Sequence, residues 1–463
     1  MIKKLYKGFL LLLIMFNLIA CKKEFLDKKP NKALLIPETL QDVKQLLDNS
    51  NQVFNISPGL NVMSADEYFT DESTLLTLEI YERNSYLWEK NLYPGEINVS
   101  DWSIPYQQVF YANIALETLD KLNPSEKDRK EWGRLKGIAH FYRGFAFYNL
   151  VQLFAAQYDK QTADQLPGIP LRLKSTINIP SVRASLGESY GQIIKDITTA
   201  NGLLALNEEV KTRPDKKAAY ALLARVFLSM EDYINAGKYA DSCLMLQNKL
   251  LDYSTINSVG TARPFPSAFP VGNLEILFFS GIISYTFPTF EPNVIIDPVL
   301  YQTYDQNDLR RLLFFRDRSG DGRMTFRGTY TGSNNNTLFS GLATDEIYLI
   351  SAECLARQNR IDEAMNMLNK LLITRWKKST YIEKVASNRP EALQLILEER
   401  KKELVARGLR WDDLKRLNKD PIYATELRRN VNGKIYVLKP NDLRYVFPIP
   451  DSEIANGLIQ NPR

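Results

Sequence analysis

The spacing of apolar positions predicts a chain that is mainly helical. Apolar residues recur every three or four positions, as on one face of an α-helix, in many separate segments. The first segment begins at Pro37 and continues through Leu40, Val43 and Leu47. The others lie at about 104–121, 130–156, 186–205, 214–229, 232–248, 344–357, 361–375, 390–407 and 410–417. We therefore expect a mainly α fold.

The helical pattern is interrupted between roughly 250 and 340. Proline, glycine, serine, asparagine and aromatic residues dominate there, and runs such as Glu275–Phe279 have the character of short strands. This predicts an irregular, loop-rich insert containing short strands between two helical regions. After a leader over 1–20, the predicted regions are 21–245, 246–340 and 341–463, and residues 21–463 are expected to form one compact unit.

Two helical pairs, 220–243 and 348–371, share a pattern of small and apolar residues. In each pair two alanines stand twelve positions apart, which is typical of tetratricopeptide repeats, where alanine lets paired helices approach closely. These alanines are Ala224 with Ala236 and Ala352 with Ala364. The sequence therefore predicts tetratricopeptide-like helical repeats, an architecture whose concave face suits binding.

The first twenty-one residues have the pattern of a bacterial lipoprotein leader. Three lysines within the first seven residues precede an apolar run over 9–20, which is too short to span a bilayer. Leu18-Ile19-Ala20-Cys21 resembles a lipobox, in which the cysteine thiol is acylated before cleavage. We expect 1–20 to be a signal peptide and acyl chains such as palmitate on Cys21 to anchor the mature protein. An ordinary secretory signal is the alternative.

Composition narrows the possible chemistry. Lysine and arginine number 59 against 54 acidic residues, which is not the strongly basic balance of a nucleic-acid-binding protein. The single histidine, His140, excludes a multi-histidine metal site, and its aromatic neighbours indicate a histidine satisfied in the core or at an interface. The sequence contains no G-x-S-x-G, Walker or C-x-x-C motif. We expect no enzyme activity, no metal and no cofactor.

Two charged motifs and two cysteines favour structural interpretations. The run 317–322 begins like a calcium loop, but Gly328 replaces the closing glutamate and Arg323 adds positive charge, so we expect a polar turn. In the run 398–403, Glu398 with Lys402 and Glu399 with Glu403 stand four apart on a helix, which predicts a solvated, partly paired face. Cys243 and Cys354 lie inside helical patterns and are expected to be buried free thiols.

Aromatic residues in segments of poor helical periodicity are the candidates for ligand contact. Such rings stack on the apolar faces of sugars or on peptide side chains, while neighbouring polar groups orient the ligand. Core packing is expected to account for more than half of the loop aromatics. The candidate ligand-binding residues are Tyr81, Tyr86, Trp88, Trp102, Tyr301 and Tyr304, and further loop aromatics are Tyr93, Tyr285, Phe287, Phe290 and Tyr330.

Several motifs in order resemble the SusD/RagB family of outer-membrane lipoproteins over nearly the whole mature chain. Phe25-Leu26-Asp27-Lys28-Lys29-Pro30 is similar to the family's F-L-D-x-x-P start. Arg143-Gly144 occupies the R-A place of its R-A-x-x-Y-x-x-L…G-x-P-L passage, which ends here in Gly168-Ile169-Pro170-Leu171 after an extra stretch at 155–167. Other resembling segments are 102–113, 218–239, 346–375 and, most specifically, 399–416 and 447–462.

The resemblance implies a mainly helical protein with four tetratricopeptide-like units on the outer surface of a Gram-negative outer membrane. Members of the family cap a SusC-like TonB-dependent transporter, which their repeat helices face. They capture oligosaccharides, or in some members peptides, for import without catalysis. The loops that bind ligand vary within the family, so the resemblance assigns no ligand residue in this chain.

Two other functions remain open on the sequence alone. A tetratricopeptide-type scaffold lipoprotein would use its repeats to hold a partner, with all the aromatics structural. A surface glycoside hydrolase would need two carboxylates about 5–10 Å apart beside a cleft, and no motif in the sequence selects such a pair.

Overall fold

α-Helices carry most of the fold in the part of the chain that the computed structural model describes. That part comprises residues 37–177, 180–257, 262–267, 272–289, 295–318, 320–328, 330–332 and 337–463. The leader over 1–20, Cys21, the 25–30 motif and Phe290 lie outside these residues. Residues Thr39–Arg463 form one compact unit.

The long helices occur where the apolar spacing predicts them, so the expected mainly α fold is confirmed. The helices are α1 (Leu40–Leu47), α2 (Leu60–Ser64), α3 (Glu72–Thr77), α4 (Ile80–Tyr86), α5 (Ser100–Lys121), α6 (Arg129–Phe154), α7 (Leu186–Leu203), α8 (Lys216–Ser229), α9 (Tyr233–Leu246), α10 (Thr286–Thr289), α11 (Pro298–Gln302), α12 (Arg310–Phe314), α13 (Thr344–Arg357), α14 (Ile361–Leu372), α15 (Arg389–Glu403), α16 (Arg410–Leu417) and α17 (Asp451–Ala455). None of these helices combines the length and apolar character needed to cross a bilayer.

The strands of the described residues are short and pair two by two. They are β1 (Ile56–Ser57), β2 (Tyr68–Phe69), β3 (Pro167–Pro170), β4 (Arg183–Ser185), β5 (Ile276–Phe278), β6 (Gly281–Ile282), β7 (Ile295–Ile296), β8 (Phe315–Asp317), β9 (Met324–Phe326), β10 (Leu342–Ala343), β11 (Leu427–Val431) and β12 (Lys434–Leu438). β1 pairs with β6 in parallel, and the antiparallel pairs are β2–β7, β3–β4, β5–β10, β8–β9 and β11–β12. The predicted insert therefore contains the short strands expected of it.

The β11–β12 hairpin was missed by the apolar spacing. Leu427 pairs with Leu438 and Val431 with Lys434, so two residues, Asn432 and Gly433, form the turn. Both have positive φ, 52° and 75°, as the mirror-image turns of tight hairpins require. Asn-Gly is the strongest short-range hairpin signal in a sequence, so this dipeptide could have predicted the hairpin.

Successive helices pack side by side, as tetratricopeptide-like pairs do. α5 packs on α6, α8 on α9 and α13 on α14, and α9 also packs on α13, which joins two pairs. The four repeat alanines are fully buried. A Cβ on Gly237 would stand 3.2 Å from the Cβ of Cys354, so an alanine there would require α9 and α13 to move apart by a few tenths of an ångström.

The two internal cysteines are buried free thiols, as expected, and Asp317 forms hydrogen bonds within the 317–322 run. Cys243 and Cys354 are buried and free, and burial raises the pKa of both thiols. In the turn, the Asp317 carboxylate accepts the backbone N–H groups of Gly320 and Gly322, at 2.7 and 3.3 Å. The Arg323 guanidinium pairs with Asp321 at 2.7 Å. No cluster of metal-ligating side chains occurs among the described residues.

The charged run 398–403 is a solvated face only in part: Glu398 is exposed and Lys402 pairs with Glu399, but the prediction is wrong for Glu399 and Glu403. Glu399 and Glu403 are 4% and 2% exposed on α15. Both carboxylates form ion pairs with the Arg310 guanidinium, at 2.6 Å for Glu399 and 3.0 Å for Glu403. Arg310 also pairs with Asp308 at 2.7 Å. Arg310 of the insert supplies the positive charge that allows these acidic side chains of α15 to be buried. Helical periodicity within α15 does not reveal this distant partner.

Glu403 extends this cluster to a second buried arginine. Its other oxygen accepts the Nε of Arg375 at 2.7 Å, and Arg375 reaches Glu275 at 2.9 Å. The side chains of Arg310, Arg375, Glu275 and Glu403 are all fully buried. Together with Asp308 and Glu399, these residues form what we term the arginine–carboxylate cluster, which joins the insert, α15 and the end of α14.

Replacing Arg310 by methionine should destabilise the protein severely. The substitution keeps the apolar stem but leaves three buried carboxylates short of a counter-charge, which typically costs about 3–5 kcal/mol. Chemical denaturation of Arg310→Met against the parent protein measures the loss.

Arg360→Met is the matched control, because Arg360 forms an exposed pair with Glu363. Exposed pairs contribute little, so its denaturation midpoint should stay close to that of the parent. Equal midpoints for the two variants would contradict the role given to the cluster.

Candidate ligand-binding site

Two recesses lie beside the N-terminal half of α5. The first, the tyrosine cleft, has a volume of about 110 Å³. It is lined chiefly by Tyr81, Tyr93, Glu96, Asn98, Ser100 and Tyr285. The second, the α5 groove, has a volume of about 360 Å³. Its defining residues are Trp102, Tyr106, Phe110, Arg172, Lys174 and Glu453.

Two tyrosine rings form the walls of the tyrosine cleft. Tyr81 lies in the first turn of α4, and Tyr285 immediately precedes α10. Their ring centroids are 5.6 Å apart with an interplanar angle of 58°. Tyr81 is half-buried and Asn98 is exposed, so the cleft offers both ring surface and a hydrogen-bonding amide to solvent.

Glu82 holds the two walls together. This carboxylate is fully buried and accepts the backbone N–H of Glu79 at 3.2 Å, which caps α4 at its start. Its other oxygen accepts the backbone N–H of Phe287 at 2.8 Å. Because Tyr81 precedes Glu82 directly and Tyr285 lies two residues before Phe287, this bridge restrains the separation of the two rings. Burial raises the pKa of Glu82.

Asp101 orients the second wall from behind. It is fully buried at the start of α5 and accepts the backbone N–H groups of Gly59 and Leu60 at 2.7 and 2.9 Å. The Tyr285 hydroxyl donates to its second carboxylate oxygen. Burial raises the pKa of Asp101, and burial also raises the pKa of Tyr285, with the Asp101 charge adding to the effect. Tyr285 is therefore a neutral, fixed ring.

A stripe of three aromatic residues forms one wall of the α5 groove. Trp102, Tyr106 and Phe110 follow at intervals of four and therefore share one face of α5. Trp102 is 5% exposed and packs against Tyr106, with centroids 4.8 Å apart, and against Phe154, at 4.9 Å. Tyr106 and Phe110 are half-buried. The tryptophan therefore forms the floor, and the other two rings supply the accessible surface.

The opposite wall is a segment that α5 holds by hydrogen bonds along its length. The Tyr106 hydroxyl donates to the carbonyl of Pro170 at 2.9 Å. The Asn113 amide donates to the carbonyls of Arg172 and Lys174, at 2.9 and 3.2 Å. Ser175 donates its backbone N–H to Glu117 at 2.9 Å, and its hydroxyl donates to the same carboxylate at 2.6 Å. This segment is therefore held in place before any ligand arrives.

A buried ion pair orients Asn113. The Arg143 guanidinium donates to the Asn113 side-chain oxygen at 2.9 Å and to both oxygens of Asp196, at 2.9 and 2.6 Å. His140 bonds the same aspartate through Nδ1 at 2.8 Å. Burial opposes ionisation of Asp196, but these hydrogen bonds lower its pKa overall. His140 is thus a satisfied, mostly buried histidine, as predicted.

Of the six candidate ligand residues, Tyr81 lies in the tyrosine cleft and Trp102 in the α5 groove. Tyr86 and Trp88 are 1% and 3% exposed and lie against the Arg429 guanidinium, 3.6 and 4.3 Å from their ring centroids. The Trp88 indole also donates to the Ser64 carbonyl at 2.9 Å. In this structure both rings stabilise a buried arginine, and a ligand role for them stays a prediction.

Tyr301 and Tyr304 lie together, apart from the residues that line either recess. Both rings pack edge-on against Phe315. Tyr301 accepts the Nε of Arg311 at 3.0 Å, and Tyr304 donates to the Lys402 carbonyl at 2.8 Å. Tyr304 is 1% exposed. Their ligand role also stays a prediction.

Sequence reasoning missed much of both recesses. The stripe of Trp102, Tyr106 and Phe110 was detectable, because aromatic residues four apart on a predicted helix must share a face. Tyr285 was noted among the loop aromatics but not selected. No sequence pattern places Arg172 and Lys174 opposite that stripe, since a segment distant in the chain brings them there.

Two family models match the chain. Residues 24–228 match a SusD-like family described as starch-binding associating with outer membrane. Residues 323–463 match the SusD family. The chain belongs to the SusD/RagB family. The matched ranges include most of both helical regions of this SusD/RagB protein, but not α9, and they include the residues of the α5 groove.

Solved structures share the fold at low sequence identity. A putative sugar-binding protein from Bacteroides vulgatus is 22% identical, with a TM-score of 0.75, and the match covers 92% of this chain and 99% of that one. Surface glycan-binding protein A from Bacteroides fluxus is 17% identical, with a TM-score of 0.68, covering 92% and 100%. A laminarin-binding SusD-like protein is 18% identical, with a TM-score of 0.61, covering 91% and 97%. No curated protein matches this SusD/RagB chain in sequence.

Asn113→Ala should loosen the wall of the α5 groove. The substitution removes two hydrogen bonds to the 172–174 backbone and leaves a buried donor of Arg143 unpaired, at a cost of about 1–3 kcal/mol. Hydrogen–deuterium exchange should become faster over 172–175, and the melting temperature should fall.

Asn248→Ala, at an exposed asparagine, is the control and should change neither measurement. Unchanged exchange over 172–175 in Asn113→Ala would show that Asn113 does not hold this segment.

Proposed function

We propose that this SusD/RagB protein captures oligosaccharides at the cell surface and passes them to a SusC-like TonB-dependent transporter. The observation that carries the proposal is the tyrosine cleft. Two rings set at an angle offer apolar faces for a sugar ring, and Glu96, Asn98 and Ser100 supply hydrogen-bonding groups beside them. Structural neighbours described as binding sugars, glycans or laminarin support the same ligand class.

Rigid positioning supports binding of a ligand without closure of the site. Glu82 and Asp101 hold the walls of the cleft through buried hydrogen bonds, so little side-chain entropy is lost when a sugar stacks there. A peptide with aromatic or apolar side chains is the other ligand class that such walls accept, and it belongs in the binding panel.

The lining of the recesses supports capture rather than cleavage. Glycoside hydrolysis uses two carboxylates that flank the scissile bond. Among the described residues, Glu96 is the carboxylate that lines the tyrosine cleft and Glu453 the one that lines the α5 groove. Asp101 is fully buried, and its carboxylate oxygens accept hydrogen bonds from Gly59, Leu60 and Tyr285. We therefore propose a non-catalytic role.

Surface attachment is proposed to come from Cys21. The lipobox-like Leu18-Ile19-Ala20-Cys21 would supply a mature N-terminus carrying acyl chains, each buried CH₂ contributing about 0.8 kcal/mol to membrane attachment. Two or more chains anchor a protein durably, which suits a subunit that stays with an outer-membrane transporter.

Calorimetric titration of the purified protein with neutral plant, host and microbial oligosaccharides and mixed peptides tests the capture role. Tyr81→Ala should weaken glycan binding about tenfold, because one ring face is lost from the cleft. Tyr436→Ala, at a half-buried tyrosine of the β11–β12 hairpin, is the control and should bind as the parent does.

Chromatography of each mixture should recover the oligosaccharide intact. Cleaved products would overturn the non-catalytic role, and the absence of binding across the whole panel would overturn capture at the tyrosine cleft.

Cys21→Ser should release the protein from the outer membrane. The serine hydroxyl cannot replace the thiol that receives the acyl chains, so metabolic labelling with a palmitate analogue should be lost and the protein should leave the outer-membrane fraction. The parent should retain the label and co-purify with a SusC-like transporter. A Cys21→Ser variant that is still labelled and membrane-bound would refute the anchor.

A further inference from the structure

The α5 groove is lined by two cationic side chains, Arg172 and Lys174. Among the described residues, neither Arg172 nor Lys174 forms an ion pair, and the Arg172 guanidinium donates to the Ser181 hydroxyl. Both side chains line the groove. Elsewhere in this protein the guanidinium groups of Arg143, Arg310 and Arg375 are paired with carboxylates. The positive charge in the groove is therefore available to a ligand.

The rest of the groove suits a flat, hydroxyl-rich molecule. Tyr106 and Phe110 present half-buried rings opposite the cations, with Trp102 beneath them. Ser103, Gln107 and Thr176 add hydrogen-bonding groups along the lining. At about 360 Å³ the groove falls within the size range of small-molecule sites.

The charge balance of the groove is positive even though one carboxylate lines it. Glu453 lies among the lining residues together with Arg172 and Lys174. Burial raises the pKa of Tyr106, so its phenol is neutral and adds no negative charge. Glu117 is close enough for the Lys174 charge to help lower its pKa, but its oxygens accept hydrogen bonds from Ser175. Two cations therefore face one free carboxylate.

The cations are also presented from a fixed backbone. Asn113 bonds the carbonyls of Arg172 and Lys174, and the buried Arg143–Asp196 pair holds Asn113 in turn. Their Cα atoms are thus set before binding, which reduces the entropy that a ligand must offset.

We propose that the α5 groove binds the uronate units of an acidic oligosaccharide. The sugar ring stacks on Tyr106 and Phe110, and its carboxylate accepts hydrogen bonds from Arg172 and Lys174. Its hydroxyl groups form hydrogen bonds with the polar lining residues, including Glu453. The groove is a site separate from the tyrosine cleft. The inference rests on the proposed function only in that the ligand is a saccharide.

The test compares acidic oligosaccharides with their carboxyl-reduced forms, which keep the backbone and lose the charge. The probes are oligogalacturonides and hyaluronan fragments, titrated into the full-length protein at low and high salt. At least one acidic probe should bind about tenfold or more tightly than its reduced form, because a charge-assisted hydrogen bond contributes more than a neutral one. Added salt should weaken only the acidic probe.

Substitutions in the α5 groove test whether the difference in affinity between acidic and reduced probes arises there. Arg172→Gln should remove most of the preference for the acidic probe and leave the reduced probe unchanged, whereas Phe110→Ala should weaken both. Lys378→Gln, at an exposed lysine outside both recesses, is the charge-matched control and should keep the preference. Thermal melts of each variant check that the fold is intact.

Each remaining outcome overturns the inference. Equal binding of acidic and reduced probes refutes charge recognition, and a preference retained in Arg172→Gln places the recognition elsewhere. If neutral glycans bind and Tyr81→Ala alone abolishes all binding, the proposed function stands and the groove is not a second site. If no saccharide of either kind binds, both proposals fail.

Discussion

The fold depends on one constraint, which is that every charge taken out of water must meet an opposite charge or hydrogen-bonding groups that satisfy it. A buried ion alone costs several kcal/mol, and the attraction between paired ions offsets that cost only with good geometry. Glu403 meets Arg310 and Arg375, and Arg375 continues to Glu275. These contacts join residues far apart in the sequence, so the insert cannot be displaced from α15 without exposing unpaired charge.

The same constraint shapes the two recesses. Asp196 and Arg143 form a buried pair whose remaining donor orients Asn113, and Asn113 fixes the backbone opposite the aromatic stripe. Glu82 and Asp101 have no guanidinium partner in their hydrogen bonds and are satisfied mainly by backbone N–H groups. Burial accordingly raises their pKa values, whereas that of Asp196 is lowered. Against this background of satisfied buried groups, Arg172 and Lys174, which form no ion pair among the described residues, are the charges on which the proposed uronate site depends.

Local rules predicted the helices well, because an amphipathic helix is determined by residues within a few turns of each other. The repeat alanines are buried as their spacing predicts, and the thiols of Cys243 and Cys354 are free. The β11–β12 hairpin shows a local signal, Asn432-Gly433, that apolar spacing does not register. The run 398–403 shows the opposite case, in which a pattern typical of a solvated helix face is buried because distant arginines reach it.

The sequence by itself determined the helical framework, the repeat pairs, the loop-rich insert and the motifs that mark the family, since each depends on neighbours within one or two elements. It also narrowed the candidates for ligand contact to loop and helix aromatics. Only the tertiary structure decided which aromatics remain accessible. Tyr86 and Trp88 stack on Arg429, while Tyr81 meets Tyr285 across a cleft. Burial of a ring depends on which distant segment packs against it, and no local pattern carries that information.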